Sequence, residues 1–345
     1  MKPCLAYPGD LNTPTGGYVY DAAVINASEG AMVPLALPDG FPDPSGADLA
    51  AAQQALSRAG TAVIDGLAFG VMPVELIEAL PRRPIALCHH PLGYEPGIST
   101  ERSAMLVEAE RTALSHAAHV VVTSDATARV LVSDFGLSAD HISVAPPGLE
   151  RFGVAPFWTA GKTTETPVIL TVASLTYRKA HDVLVQALSK ISDMNWRAQW
   201  VGPVDREPGR LQALQDMIAD CGLSDRIEIA GACEINKLNE AYNKAALFCL
   251  PSRYEGYGMV FDEAMMRGLP IVACNAGAVG DVVPENAGLL CPIDDPTALA
   301  ASLRNLLQNR ELASAKATAA REHALTLPSW RDTYSVFAEV LRRVG

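Results

Sequence analysis

The stretch Ala246-Leu247-Phe248-Cys249-Leu250-Pro251-Ser252-Arg253-Tyr254-Glu255-Gly256-Tyr257-Gly258-Met259-Val260-Phe261-Asp262-Glu263 changes character twice. Its first five residues are uniformly apolar and too few for a buried helix, so they read as a strand covered on both faces. Pro251 stops that run, and two glycines open a second, helical stretch that Gly268 and Pro270 end. Strand, glycine loop and helix in that order form the repeating unit of a parallel sheet sandwiched between helices.

The unit recurs in both directions along the chain. Further strands are expected at residues 168–173, 198–201, 226–230 and 270–274, and in the first half at 61–65, 84–88, 119–123 and 141–145. Helices are expected at 19–28, 102–115, 125–134 and 183–191, with Ser124 as the N-cap of the third. The fold class is therefore α/β. After Ala145-Pro146-Pro147-Gly148 the pattern loosens into a Pro-, Gly- and Thr-rich segment that ends near Pro167, which reads as an interdomain linker. Two domains follow, residues 1–150 and 165–329. In the last stretch, 330–345, Trp330, Tyr334, Phe337 and Leu341 recur at helical spacing and mark a face that docks on a core.

Composition narrows the function. With 49% hydrophobic residues in 345, the chain can bury two cores. The net charge of −12 is concentrated in the first 150 residues, where 17 acidic side chains face 7 basic ones. That sign repels a phosphate backbone, and no basic stripe with interleaved aromatics exists, so a nucleic-acid partner is not expected. No apolar run approaches the roughly 18 residues of a transmembrane helix. The first ten residues lack the apolar core of a secretory signal, which predicts a cytoplasmic protein. The seven cysteines are odd in number and form no C-x-x-C pair, so they read as small buried hydrophobes.

Ligands of open α/β sheets bind at the carboxyl ends of the strands, and the chemistry is sought there. In Glu255-Gly256-Tyr257-Gly258-Met259-Val260 the glycines let free helix N–H groups approach an anion such as a diphosphate, with Glu255 in the loop and Glu263 within the helix. After the strand at 168–173, Ser174-Leu175-Thr176-Tyr177-Arg178-Lys179 brings a guanidinium and an ammonium to another strand end, both suited to a diphosphate leaving group. Gly16-Gly17 precedes the expected helix at 19–28 and permits close backbone approach to an anion or a reacting sugar. Cys88-His89-His90-Pro91 closes the strand at 84–88. Period-2 alternation lets one of His89 and His90 face a ligand, and the sequence does not say which. No metal site is expected at these histidines, because no carboxylate or cysteine lies at ligand spacing in the sequence.

The segment from Glu255 to Glu263 resembles the Glu-x7-Glu signature of the family-4 retaining glycosyltransferases, and Arg178-Lys179 resembles their basic motif. Ser174 stands where many members have arginine, and Ala180 replaces the usual glycine. The resemblance implies a GT-B fold, with two doubly wound Rossmann-like domains facing a central cleft. It further implies an acceptor-binding first domain and a donor-binding second one, and a last helix that packs back on the first. It assigns Glu255 to the donor sugar, Glu263 to the ribose, and Arg178 and Lys179 to the diphosphate. A histidine at the end of the 84–88 strand acts from the acceptor side, and Gly16 and Gly17 match a glycine-rich loop.

The expected function is metal-independent, retaining transfer of a hexose to a lipid or saccharide acceptor, without a cofactor. A UDP-glucose or UDP-galactose type donor comes first and GDP-mannose next. Diacylglycerol or a lipopolysaccharide or polysaccharide intermediate would be such an acceptor, and a lipid would bring peripheral contact with the inner membrane. Sequence leaves the oligomeric state open. The competing readings are a sugar-nucleotide epimerase on the same fold and a non-catalytic sugar-binding protein. A nicotinamide dehydrogenase is disfavoured because no G-x-G-x-x-G follows a strand.

Overall fold

The computed structural model describes residues 2–150 and 166–344. The middle of the expected linker, 151–165, lies outside the described residues. The chain divides into two compact units, Met1–Glu150 with Pro328–Gly345, and Arg151–Leu327.

The first unit holds strands β1 (Cys4–Pro8), β2 (Val33–Leu37), β3 (Ala62–Asp65), β4 (Ile85–Cys88), β5 (His119–Val122) and β6 (Ile142–Val144), ordered β2-β1-β3-β4-β5-β6 and parallel throughout. Every residue of β1, β3, β4 and β5 is buried, as a sheet covered on both faces requires. β2 is an exposed edge strand, which explains how Pro34 fits within it: at an edge the missing N–H breaks no ladder. The Asp125–Ser133 helix starts as its sequence predicts, with the Ser124 hydroxyl accepting from the Thr127 N–H at 3.1 Å. Such a cap is worth about 1 kcal/mol.

The last helix, Trp330–Val344, belongs to this unit. It lies against the Gly16–Ala27 helix, with the Tyr20 ring edge-on to Trp330 at 5.5 Å. Its buried positions are Thr333, Phe337 and Val340, so the predicted face is displaced; Trp330, Tyr334 and Leu341 are only partly covered. The Thr333 hydroxyl donates to the Pro146 carbonyl at 2.7 Å, and the Leu149 N–H donates to the Pro328 carbonyl at 2.9 Å. Gly148 lets these strands of chain touch: a Cβ there would stand 2.1 Å from the Trp330 nitrogen. Gly148→Ala is expected to destabilise this unit by about 1–3 kcal/mol through overpacking, read as a lower midpoint in urea by circular dichroism. An unchanged midpoint would mean the helix start can shift freely.

The second unit holds β7 (Val168–Val172), β8 (Arg197–Val201), β9 (Ile227–Gly231), β10 (Leu247–Leu250), β11 (Ile271–Cys274) and β12 (Gly288–Cys291), all parallel, in the order β12-β11-β10-β7-β8-β9. Counted within the unit this is the dinucleotide-fold order, and it reverses between β7 and β10. A ligand crevice opens outside the strand ends at that point. Trp196 and Trp200 fill its core, the first with its indole N–H on the Ile191 carbonyl at 2.8 Å. Among the described residues no helix is long and apolar enough to cross a membrane. All seven cysteines are free thiols; five are buried, Cys221 is intermediate and Cys233 exposed.

Candidate functional site

β7 and β10 are neighbours, and the loops that leave them carry the two predicted motifs. From β7 the chain turns through Ser174 into a short 3-10 turn, Tyr177–Lys179, and then into the His181–Ser189 helix, which begins two residues earlier than predicted. From β10 it runs through Pro251–Gly258 into the Met259–Met266 helix. The Arg253 N–H donates to the Arg178 carbonyl at 2.8 Å and ties the two loops together.

Their side chains meet on Glu255. Lys179 Nζ donates to Oε1 at 2.5 Å, Arg178 Nη1 to Oε2 at 3.1 Å, and the Ser252 hydroxyl to Oε1 at 2.5 Å. Glu255 is 4% exposed. Burial alone would push its carboxyl up, but Lys179, Arg178 and the hydrogen bonds from Lys179 and Ser252 outweigh it and hold the group at about 2. Glu255 is therefore a buried, permanently charged anchor for both cations at neutral pH.

The two glycines of the loop occupy different positions. Gly258, at φ +97°, is the N-cap of the helix, and a Cβ would stand 2.7 Å from the Phe261 ring. Gly256 and Tyr257 lie in the loop, while Met259 and Val260 form the first helical turn. Glu263 is half-buried on that helix, and its Oε2 accepts from the Tyr242 hydroxyl at 2.9 Å. Arg267 lies over the Tyr242 ring at 4.4 Å and donates to the Glu263 carbonyl at 3.0 Å, which fixes both. Beside them burial and the Glu263 charge push the Asp262 carboxyl to about 7 against the hydrogen bond from Tyr257. Ala180 takes φ +54° and ψ +38°, the left-handed conformation, so its departure from glycine costs about 1–2 kcal/mol of backbone strain.

Sequence reasoning missed the brace around this cluster. Arg253 donates to Asp182 Oδ2 at 2.7 Å, to Asp294 Oδ1 at 2.8 Å and to the Tyr177 carbonyl at 2.6 Å, with its guanidinium 3.9 Å over the Tyr177 ring. Asp182 also accepts from Arg210. Arg253 sits inside the quoted stretch, but as a spacer it carried no signal of its own. Gly277 was missed as well. At φ +58° it lies against the Glu255 backbone, and the next residue, Ala278, donates its N–H to the Glu255 carbonyl at 2.9 Å.

In the first unit Gly16 and Gly17 are the first two residues of the Gly16–Ala27 helix, which starts three residues before the predicted one because Thr15, extended, takes the N-cap position. β4 ends at Cys88, so His89 and His90 lie beyond the strand and its alternation does not govern them. They nevertheless part. His90 Nε2 lies 3.1 Å from Glu95, while His89 Nε2 lies 3.2 Å from Asp21 Oδ1 and 3.1 Å from Asp65 Oδ2. Gly17 lies beside the His89 ring: a Cβ there would stand 3.5 Å from it, an ordinary van der Waals contact. Glu110, buried, accepts from the Leu92 N–H at 2.8 Å and holds the turn that follows the histidines.

Asp21, Asp65 and His89 offer ligating atoms within 4.8 Å of one another, the one such group among the described residues. The sequence argument against a metal rested on the lack of a carboxylate near the histidines. The fold supplies two from far along the chain, so that argument does not hold. Asp65 closes an apolar strand and Asp21 interrupts an apolar helix face; a lone acid in an apolar run was the available signal.

Residues 17–151 match Glycosyltransferase Family 4 and residues 157–323 match Glycosyl transferases group 1. A D-inositol 3-phosphate glycosyltransferase of Xylanimonas cellulosilytica is 29% identical over 225 residues, 61% of this chain and 54% of that protein. A GDP-mannose-dependent alpha-(1-6)-phosphatidylinositol monomannoside mannosyltransferase of Mycobacterium tuberculosis is 29% identical over 242 residues, 65% and 61%. The chain thus spans little more than half the length of these curated relatives. Anabaena HepE, solved in complex with UDP-glucose, superposes with a TM-score of 0.82 over 99% of both chains at 18% identity. The two family matches succeed one another along the chain, one on each doubly wound sheet, and the chain belongs to the family-4 glycosyltransferases, with their GT-B fold.

Proposed function

We propose that this protein is a retaining glycosyltransferase that moves a hexose from a nucleoside diphosphate sugar to an acceptor hydroxyl without a divalent cation. One observation carries the reading: Arg178 and Lys179 converge on Glu255 at the strand-order reversal of the second sheet, where a ligand of this fold is expected. In this reading the donor diphosphate lies between the two cations and the N-terminus of the Met259–Met266 helix. Its charge grows as the glycosidic bond breaks, and preorganised donors stabilise that growth without reorganising. Glu255 faces the sugar while anchoring both cations, and Glu263, held by Tyr242, meets the ribose. Ser174, Gly256, Tyr257 and Gly258 line the approach with backbone, and His89, behind Gly16 and Gly17, acts from the acceptor side. No side chain serves as a covalent nucleophile.

UDP-glucose or UDP-galactose is the first donor class, supported by the UDP-glucose complex of HepE, and GDP-mannose the second, supported by the mannosyltransferase relative. The acceptor is a hydroxyl of a lipid such as diacylglycerol or of a saccharide intermediate, the lipid case placing the protein at the inner membrane surface. Calorimetric titration with UDP-, GDP- and ADP-sugars in EDTA tests the reading. One nucleotide sugar is expected to bind selectively, and Glu255→Ala to weaken it. Absence of binding to every nucleotide sugar by folded protein would overturn the function, and binding or transfer restored only by added Mg2+ or Mn2+ would overturn the metal independence.

A further inference from the structure

The cluster in the first unit goes beyond this reading of the reaction, although the use proposed for it rests on that reading. Asp21 comes from the helix after β1, Asp65 from the end of β3 and His89 from the loop after β4. Asp21 and Asp65 are 0% and 2% exposed. Both place a carboxylate oxygen against the same ring nitrogen, Nε2. A lone pair on that nitrogen would face two anions, so Nε2 carries the proton. Asp21 Oδ2 is buried with no hydrogen-bond partner among the described residues, and Oδ1 meets the imidazole, so the charge of this carboxylate is balanced through His89.

The charge count decides the state of the ring. Two carboxylates with a neutral imidazole would leave two negative charges in a water-poor site; an imidazolium leaves one. Two carboxylate oxygens at 3.2 and 3.1 Å from Nε2 favour the charged ring and offset the cost of burying a cation there. Burial opposes charge on His89, yet the two aspartates bring it up to about 10. Burial and Asp65 push Asp21 to about 6, against the pull of His89. Nearby, Tyr7, Tyr20 and Cys88 are all pushed up, burial being the largest cause for each, and stay neutral. The Thr123 hydroxyl reaches only the His89 carbonyl, and the Tyr20 ring stands edge-on to the imidazole at 5.2 Å. Among the described residues Nδ1 has no hydrogen-bond partner.

We propose that Asp21 and Asp65 are positioning residues that clamp Nε2–H and keep His89 an imidazolium, so that its Nδ1–H serves as a charged donor to a substrate oxygen. The geometry leaves His90, paired with Glu95, outside this role. The site differs from a metal centre in that a proton, not an ion, sits between the three groups.

The test is the nitrogen-15 spectrum of the imidazole in the full chain, recorded without donor or acceptor from neutral pH to about pH 9. The wild-type ring is expected to stay doubly protonated across this range. Asp65→Asn, which keeps an amide at the helix cap, should lower the midpoint by about 1–3 pH units, the effect of one lost opposite charge. Asp21→Asn should do the same if Asp65→Asn fails to fold. A wild-type ring titrating near the ordinary histidine value of about 6.5, or stoichiometric uptake of Zn2+ or Mn2+ with loss of the Nε2 proton, overturns the proposal. For the use of Nδ1, the alkaline limb of the kcat–pH profile should move to lower pH in Asp65→Asn with donor KM unchanged; an unmoved limb overturns that use. The spectrum needs no substrate, so a protein that bound no nucleotide sugar would sink the proposed function and leave the clamp standing.

Discussion

Lys179→Ala is expected to lower kcat for sugar transfer by about 10²- to 10³-fold, the usual cost of removing one preorganised donor from a site of developing negative charge. Lys179 Nζ lies 2.5 Å from Glu255, and its ammonium can offer further protons to a diphosphate while holding that contact. The variant should fold, because Arg178 and Ser252 still hold the Glu255 carboxylate. Initial rates at saturating donor, with a circular dichroism melt as the control, check the expectation. Lys179→Arg should recover only part of the rate, since a planar fork replaces a point charge. A Lys179→Ala enzyme within a few-fold of wild type would mean that the diphosphate is stabilised elsewhere, and the proposed mechanism would fall with it.

Gly277→Ala should be among the most damaging single-methyl changes near that site. At φ +58° a side chain already costs about 1–2 kcal/mol. The added Cβ would also stand 2.2 Å from the Glu255 carbonyl oxygen and 3.1 Å from its nitrogen, both backbone atoms that cannot swing aside. With about 1–3 kcal/mol for the overpacking, the second unit should lose about 2–5 kcal/mol. For a unit of this size, a calorimetric transition falls by about 2–4 °C per kcal/mol. A variant that melts like wild type and binds donor normally would show that the Glu255 loop can give way, against the reading of it as a preorganised anchor.

The parts of the fold legible in the sequence were those where burial leaves a contiguous mark. β10 and β11 are buried along their whole length and read as plain apolar runs. β2 and β12 sit at sheet edges, where exposure dilutes the pattern, and Pro34 in β2 and Gly288 in β12 point away from a strand. β1 is just as buried, but Pro8 and Gly9 at its end read as a turn and masked the short apolar run before them.

In the candidate site, Arg178, Lys179 and Glu255 were recognisable as strand-end residues, but their convergence depends on β10 lying beside β7, a pairing across most of a domain that no local spacing encodes. Asp21 and Asp65 were not recognised for the same reason. Each looks incidental in its own segment and gains meaning only from the strand order that brings both to His89.

The Trp330–Val344 helix and the Gly148 contact make the first unit discontinuous, with Met1–Glu150 completed by the last eighteen residues. On a ribosome the chain emerges at about 5–20 residues per second, so the unit made first is finished last. The second unit, contiguous from Arg151 to Leu327, is fully synthesised while Tyr20 still lacks its partners Trp330 and Phe337. For roughly ten seconds or more at those speeds, the nascent first unit carries an apolar face that its own last helix has yet to cover.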